Sequence, residues 1–264
     1  MTPSVRVLII ANVAMFAVTY VLAPQTPSVA AFVTSLVLVP ALILERPWTI
    51  VTYAFLHAGF LHVLFNMIGL FFFGPRLESR LGEGRFLGLY FVSAIAAALA
   101  SLATPNVAVI GASGAVFGVL VGFAKYWPRD RIYFWGVIPI EARWFIVLLG
   151  IYSIWGGLSR GGSIAHFAHL GGIAGGWIYL VVMERVSERL SRAHRFRKKA
   201  NPFHGRRITQ SDLERWRSIP RDSLHPINRA ELDRIMKKLD EQGPRSLADS
   251  EREYLERFSA HAHE

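Results

Sequence analysis

The chain has 264 residues, a formal net charge of +10 and 52% hydrophobic residues. It contains no cysteine, which excludes disulfides, thiolate catalysis and cysteine-ligated zinc. The averages hide a division: residues 1–183 carry ten Lys and Arg and five Asp and Glu, whereas 184–264 carry nineteen and fourteen.

Long apolar runs with few charges predict transmembrane helices. Six such spans follow one another, at about 4–23, 55–74, 86–103, 113–127, 139–156 and 166–183. The first is too long for a secretory signal, lacks a small-residue cleavage site, and reads as a retained span. Residues 24–54 are apolar in patches but interrupted by Pro24, Pro27, Pro40 and Pro47, and read as a partly embedded connection. Basic residues collect in alternate connections: Arg76, Arg80 and Arg85 after span two, Lys125, Arg129 and Arg131 after span four, and a dense run from Arg185 onward. The intervening connections hold only Arg46, nothing in 104–112, and Arg160. Excess positive charge marks the cytoplasmic side, so both termini are expected inside and spans two, four and six run from outside to inside.

Span four, GASGAVFG onward, is short. From 113 to 127 it has fifteen residues, about 22 Å of helix against a bilayer core of about 30 Å. The incoming TPNVAVIGA must then descend as non-helical backbone, which survives at that depth only against protein or a wet cavity. Ser113 is expected at the N-terminus of a buried helix, where free N–H groups suit an anion.

Polar groups at membrane depth are costly and tend to mark function. Span two carries His57, His62 and Asn66, the last two on one helix face; span six carries His166 and His169. Gly114, Gly118 and Gly122 in span four, and Gly171, Gly172, Gly175 and Gly176 in span six, allow close helix approach. If these spans pack through their glycines, Ser113 and a span-six histidine meet at the outer end of the seam. A serine needs an adjacent base, and an oxyanion needs fixed donors; Ser113, His169, His62 and Asn66 supply both. Taken singly, each has a structural reading, as a packing serine, a capping histidine or interhelical glue; the joint occurrence at one depth is what those readings explain poorly.

HVLFN at 62–66, LESRLG at 77–82, GASG at 111–114 and HLGGIAGG at 169–176, in this order, resemble the rhomboid family of intramembrane serine proteases. The resemblance implies an all-α membrane protein, a six-transmembrane-helix bundle, with Ser113 as nucleophile and His169 as general base in a dyad without a carboxylate. His62, Asn66 and the Ser113 N–H would form the oxyanion hole, and Gly111 would let its loop approach closely. Phe117 would pack on the His169 ring beside Gly172, and Glu78 and Arg80 would form an inner-surface network. His169, with its H-x-x-G-x-x-x-G spacing, is favoured over His166 as the base. No metal or cofactor is implied. The substrates would be transmembrane proteins cut near the outer face, and the location a bacterial inner membrane. The chain departs from the family pattern at Thr49, after Trp48, where arginine is common, and at Phe117, where tyrosine is common. A catalytically inactive relative that binds membrane helices is the alternative; a solute transporter or channel would spread polar groups through the bilayer instead of clustering them.

The expected organisation is a membrane domain at 1–183, a basic juxtamembrane linker at 184–208 and a small helical cytoplasmic tail at 209–264. The basic stretch 185–207 reads as an anchor to anionic lipid; nucleic-acid binding has no motif support. Within the tail, Leu232, Ile235, Met236 and Leu239 are helically spaced, Gly243 and Pro244 stop that helix, and a second runs through Tyr254, Leu255 and Phe258.

Overall fold

A computed structural model describes residues 1–134, 136–158, 166–200 and 207–260. Arg160, used above for topology, lies outside them, as do residues 201–206 of the expected linker. Chain contacts define two units, Met1–Glu184 and Arg185–Glu264.

The first unit is helical. Helix α1 (Pro3–Ala17) continues through a π-helical turn, Val18–Leu22. Proline at its first position has no N–H to leave unpaired, and the next free N–H groups, of Ser4 and Val5, donate to the Glu78 carboxylate at 3.0 Å each. The Thr2 hydroxyl donates to the same group. Glu78 is buried at the far end of α4 (Phe60–Leu81), so one carboxylate closes the N-terminus of a neighbouring helix. This corrects the reading of 75–85 as a loop. Helix α4 runs through Pro75 to Leu81, and α5 (Glu83–Ala100) starts after Gly82 alone. Pro75 removes one backbone bond, but burial of Leu77, Glu78 and Leu81 holds the helix beyond it. Between α1 and α4 the connection forms α2 (Pro27–Ser35) and a short α3 (Thr49–Thr52).

Helix α6 (Ser113–Tyr126) has 14 residues, about 21 Å. Nearly every side of it is buried, with Ala115, Val116, Val119, Leu120, Val121, Phe123 and Ala124 all in the interior. Its neighbours approach through glycine. A Cβ on Gly69 of α4 would lie 2.7 Å from Val116, and one on Gly114 would lie 2.5 Å from Ala97 of α5. From α8 (His166–Ala200), a Cβ on Gly172 would overlap the backbone of Gly114, and one on Gly176 would lie 2.7 Å from the Gly118 Cα. The expected glycine seam between spans four and six is therefore present.

Helix α7 (Ala142–Leu158) follows a two-stranded antiparallel hairpin, β1 (Arg131–Phe134) and β2 (Ile138–Glu141), which the apolar pattern alone does not announce. Span five thus begins at Ala142, and residues 139–141 belong to a strand. Among the described residues four helical stretches are long and apolar enough to cross a membrane: Pro3–Gln25, Phe60–Leu81, Glu83–Ala103 and His166–Arg192. The two shorter apolar helices are α6 and α7.

In the second unit the tail folds as three helices rather than two: α9 (Gln210–Arg217), α10 (Pro226–Gln242) and α11 (Asp249–Ala260). The extra helix starts in a capping box, where Thr209 accepts from the Asp212 amide and Asp212 accepts from the Thr209 amide. Trp216, Ile219, Leu232, Ile235, Met236, Leu239, Leu247 and Leu255 form one buried cluster, so the tail has its own core. The Glu251 carboxylate is enclosed by Lys238 at 2.8 Å, the Ala248 amide at 2.8 Å and Arg234 at 3.0 Å.

Two outcomes are expected. Gly172→Ala should destabilise the membrane unit by at least about 1–3 kcal/mol, because the methyl has backbone in its way. Gly150→Ala, where a Cβ meets nothing within 4 Å, should be neutral or better in thermal unfolding. In the tail, burial opposes ionisation of Glu251, but the hydrogen bonds from Lys238, Ala248 and Arg234 outweigh it and hold the carboxyl below its ordinary 4.5. A depressed carboxylate stabilises the fold above the unfolded value and loses that contribution as pH falls through the folded one. Urea resistance of 232–239, read by hydrogen exchange in the full chain, should decline between about pH 5 and 3, and less steeply in Glu251→Gln.

Candidate active site

The N-terminus of α6 is reached by the non-helical stretch 104–112, several of whose backbone groups bond to the connection between α1 and α4. Val109 N–H donates to the Leu38 carbonyl at 2.8 Å, Ala41 N–H to Pro105 at 2.9 Å, and Gly111 N–H to Tyr53 at 2.9 Å. The Tyr53 hydroxyl reaches on to the Ala94 carbonyl of α5 at 2.7 Å, so this buried tyrosine holds the turn before Ser113 from two directions. Sequence reasoning missed Tyr53. Its backbone role leaves no side-chain signature, and only its aromatic type at a loop end hints at burial.

Ser113 is the first residue of α6, and its Oγ lies 2.9 Å from His169 Nε2. Both side chains are half-buried. The Phe117 ring meets the His169 ring edge to face, with centroids 4.5 Å apart at 67°. Gly172, one turn along α8 from His169, is the point of closest approach to Gly114. His169 Nδ1 is buried and has no hydrogen-bond partner among the described residues. His166 faces elsewhere: a Cβ on Gly156 of α7 would overlap its ring, and its centroid lies 5.5 Å from that of Tyr152. The two span-six histidines are 6.4 Å apart by centroid.

His62 accepts a hydrogen bond from the Ala58 amide at Nδ1, 3.3 Å. The neutral ring then carries its proton on Nε2. That atom lies 2.5 Å from where a Cβ on Gly111 would stand, so the Nε2–H edge faces the turn before Ser113. Gly111 has φ +121°, a conformation that favours glycine, and the space that a side chain would need is filled by His62. Asn66, one turn on and buried, donates one amide hydrogen to the His62 carbonyl at 2.9 Å. Its second amide hydrogen remains for another acceptor. Ser113 thus meets His169 beside Phe117 and Gly172, and His62 meets Gly111, while Asn66 contacts His62 on its own helix. His57 departs from expectation. It lies in the connection before α4 rather than on a membrane helix, is buried, and packs edge-on against His62 at 5.0 Å.

A serine bonded to an imidazole, next to fixed donors at a helix N-terminus, is an arrangement for acyl transfer. The sequence comparisons agree on the family. The profile of the Rhomboid domain matches residues 44–186, more than half of the chain. Rhomboid protein 1, mitochondrial, of Saccharomyces cerevisiae is 36% identical over 154 residues, covering 53% of this chain and 44% of that protein. YdcA of Bacillus subtilis is 33% identical over 144 residues, 54% of this chain and 70% of its own length. Rhomboid protease GluP of Bacillus subtilis is 31% identical over 130 residues, 49% of this chain and 25% of that protein. The chain thus spans less than half the length of the first of these relatives. This chain belongs to the rhomboid family, whose members include proteases, and it is an integral membrane protein of that all-α class.

Gly111→Ala combines a strained φ with a clash against His62. It should lower the rate of serine labelling by a fluorophosphonate at least about tenfold, the loss of a fixed donor being worth about 10²–10³ in rate. Thermal stability should fall by at least about 1–3 kcal/mol, because overlap with the His62 ring adds to the backbone strain.

Proposed function

We propose that the chain is an intramembrane serine endopeptidase that cuts transmembrane proteins near the outer membrane face. The observation that carries this reading is the 2.9 Å contact between Ser113 Oγ and His169 Nε2 at the N-terminus of a buried helix. In this mechanism His169 Nε2 takes the Ser113 proton as Oγ attacks the substrate carbonyl carbon. The resulting oxyanion is held by the His62 Nε2–H, the free Asn66 amide hydrogen and the Ser113 N–H. His169 then gives its proton to the departing amine, leaving an acyl ester on Ser113. A water, deprotonated by the same nitrogen, attacks the ester and releases the acid. No carboxylate assists the His169 ring; its orientation comes from packing against Phe117 and from the backbone contact at Gly172.

Residues 1–183 are the protease domain in this reading, 184–208 a basic linker on anionic lipid, and 209–264 a cytoplasmic helical tail. In this reading both termini face the cytoplasm, which the excess of Lys and Arg in alternate connections supports, and the protein lies in a bacterial inner membrane.

Ser113→Ala and His169→Ala should each abolish cleavage of a model transmembrane substrate with the fold retained, and Ser113→Ala should abolish fluorophosphonate labelling. His166→Ala should keep measurable activity. Unlabelled, inactive wild-type protein would favour the helix-binding alternative, and loss of activity only in His166→Ala would reverse the dyad assignment.

A further inference from the structure

The hairpin between α6 and α7 has no part in the chemistry above, and it lies at the end of α6 opposite Ser113. Its base is fixed. The Ala142 amide donates to the Asp130 carbonyl at 2.8 Å and the Arg143 amide to Pro128 at 3.1 Å. The Asp130 side chain pairs with Arg76, whose guanidinium stacks 4.1 Å from the Trp127 ring. Ile132 packs against the cluster of Phe123, Ala124 and Ala142. A hairpin held this way cannot fold its tip back over its own apolar side chains.

The tip is apolar on both faces. The register pairs Tyr133 with Pro139 and Phe134 with Ile138, which places Tyr133 and Ile138 on opposite faces. Tyr133 is 60% exposed, Ile138 53% and Val137, in the turn, 77%. Gly136, at φ +75°, makes the turn tight. Strands of four residues extend only about 13 Å. Because α6 leaves the bilayer and α7 re-enters it at the hairpin base, the tip stays within that distance of the membrane surface, on the scale of the headgroup layer. Arg129 and Arg131 flank the base and form no ion pair among the described residues, while Trp144, at the start of α7, is exposed. Aromatic rings and arginines together are the composition of a membrane–water interface.

We propose that this hairpin inserts its tip, Tyr133, Val137 and Ile138, into the anionic headgroup layer on the membrane face away from Ser113, with Arg129 and Arg131 on the lipid phosphates. A tip bare on two faces suits a fluid phase that closes around it. Three side chains offer far less than the roughly 1,000 Å² that a specific protein interface needs. The inference uses the membrane embedding of α6 and α7 and is independent of the protease reading.

The chain lacks cysteine, so Val137→Cys provides a single attachment point for an environment-sensitive fluorophore in the full-length protein. In nanodiscs of phosphatidylcholine with phosphatidylglycerol, the probe should shift to the blue, be quenched by nitroxide-bearing lipid and resist aqueous iodide. The same label at Ile138→Cys should behave alike, and a label at Lys237→Cys marks the response of a polar helix face. Replacing phosphatidylglycerol with phosphatidylcholine should weaken insertion, by about fivefold for each arginine involved. Arg129→Gln with Arg131→Gln should remove that lipid dependence. A probe at 137 that is open to iodide and untouched by lipid quenchers would overturn the proposal. So would protection that rises with protein concentration without lipid quenching, which would mean a protein partner. Lipid dependence unchanged in the double variant would overturn the role of the arginines.

Discussion

The close approach of α6 and α8 is the interaction on which the rest of the membrane unit depends. Gly114 and Gly118 face Gly172 and Gly176 with no room for a methyl group between them. In a bilayer such backbone contact replaces the hydrophobic driving force that lipid does not supply between helices. Its position matters as much as its strength. Gly114 follows Ser113 directly, and Gly172 lies one turn from His169, so the tightest point of the seam sits beside the serine–histidine pair. Helices that touch backbone to backbone have little freedom to slide, and the 2.9 Å separation of Oγ and Nε2 follows from where the glycines fall.

A helix enclosed by α4, α5, α7 and α8 leaves its preceding chain a difficult route. The 104–112 stretch descends without helical bonds, and its N–H and C=O groups need partners from protein. Leu38, Ala41 and Tyr53, in the connection between α1 and α4, supply several of them. This connection therefore does more than bridge α1 and α4. Through the Tyr53 carbonyl it fixes Gly111, whose unusual φ turns the chain past His62 and into α6. The oxyanion donors proposed here are thus preorganised by backbone bonds remote from any polar side chain that a sequence scan would select.

That distinction explains what was legible in the sequence. Ser113, His169, His62 and Asn66 stand out because polar groups in apolar helices are rare, and the glycine spacing is local enough to pair two spans. Tyr53 does not stand out, since its main contribution is a carbonyl. The hairpin was hidden because IYFWGVIPI at 132–140 carries no charge, and a continuous apolar run does not separate strand from helix. His57 was misplaced because the FLHAGFLH run looks uniform, although Gly59 breaks it and α4 begins at Phe60. Helix α4 outlasted its proline because the requirement for Glu78 at the α1 N-terminus is a long-range one, 74 residues away from Ser4. The tail helix α9 left a local trace, Thr209 followed three residues later by Asp212, too short a signal beside a basic run.

The other end of α6 is built on different physics. There Lys125 and the Tyr126 hydroxyl both meet Glu184, at 3.0 and 2.8 Å, and the guanidinium of Arg80 lies 4.2 Å from the Tyr126 ring. Arg76 bridges Trp127 and Asp130. A short buried helix gains no alignment from lipid, so its depth must be set by the protein at its ends. At the Ser113 end the close glycine contacts restrict what can pack, and the rings of Phe117, His62 and His169 take the space that remains. At the Tyr126 end, cation–aromatic stacking and ion pairs carry no such restriction and fix the register against α4 and α8. The helix is anchored by charge and aromatic stacking at the end away from Ser113, which leaves the geometry of the serine–histidine pair to the glycine seam.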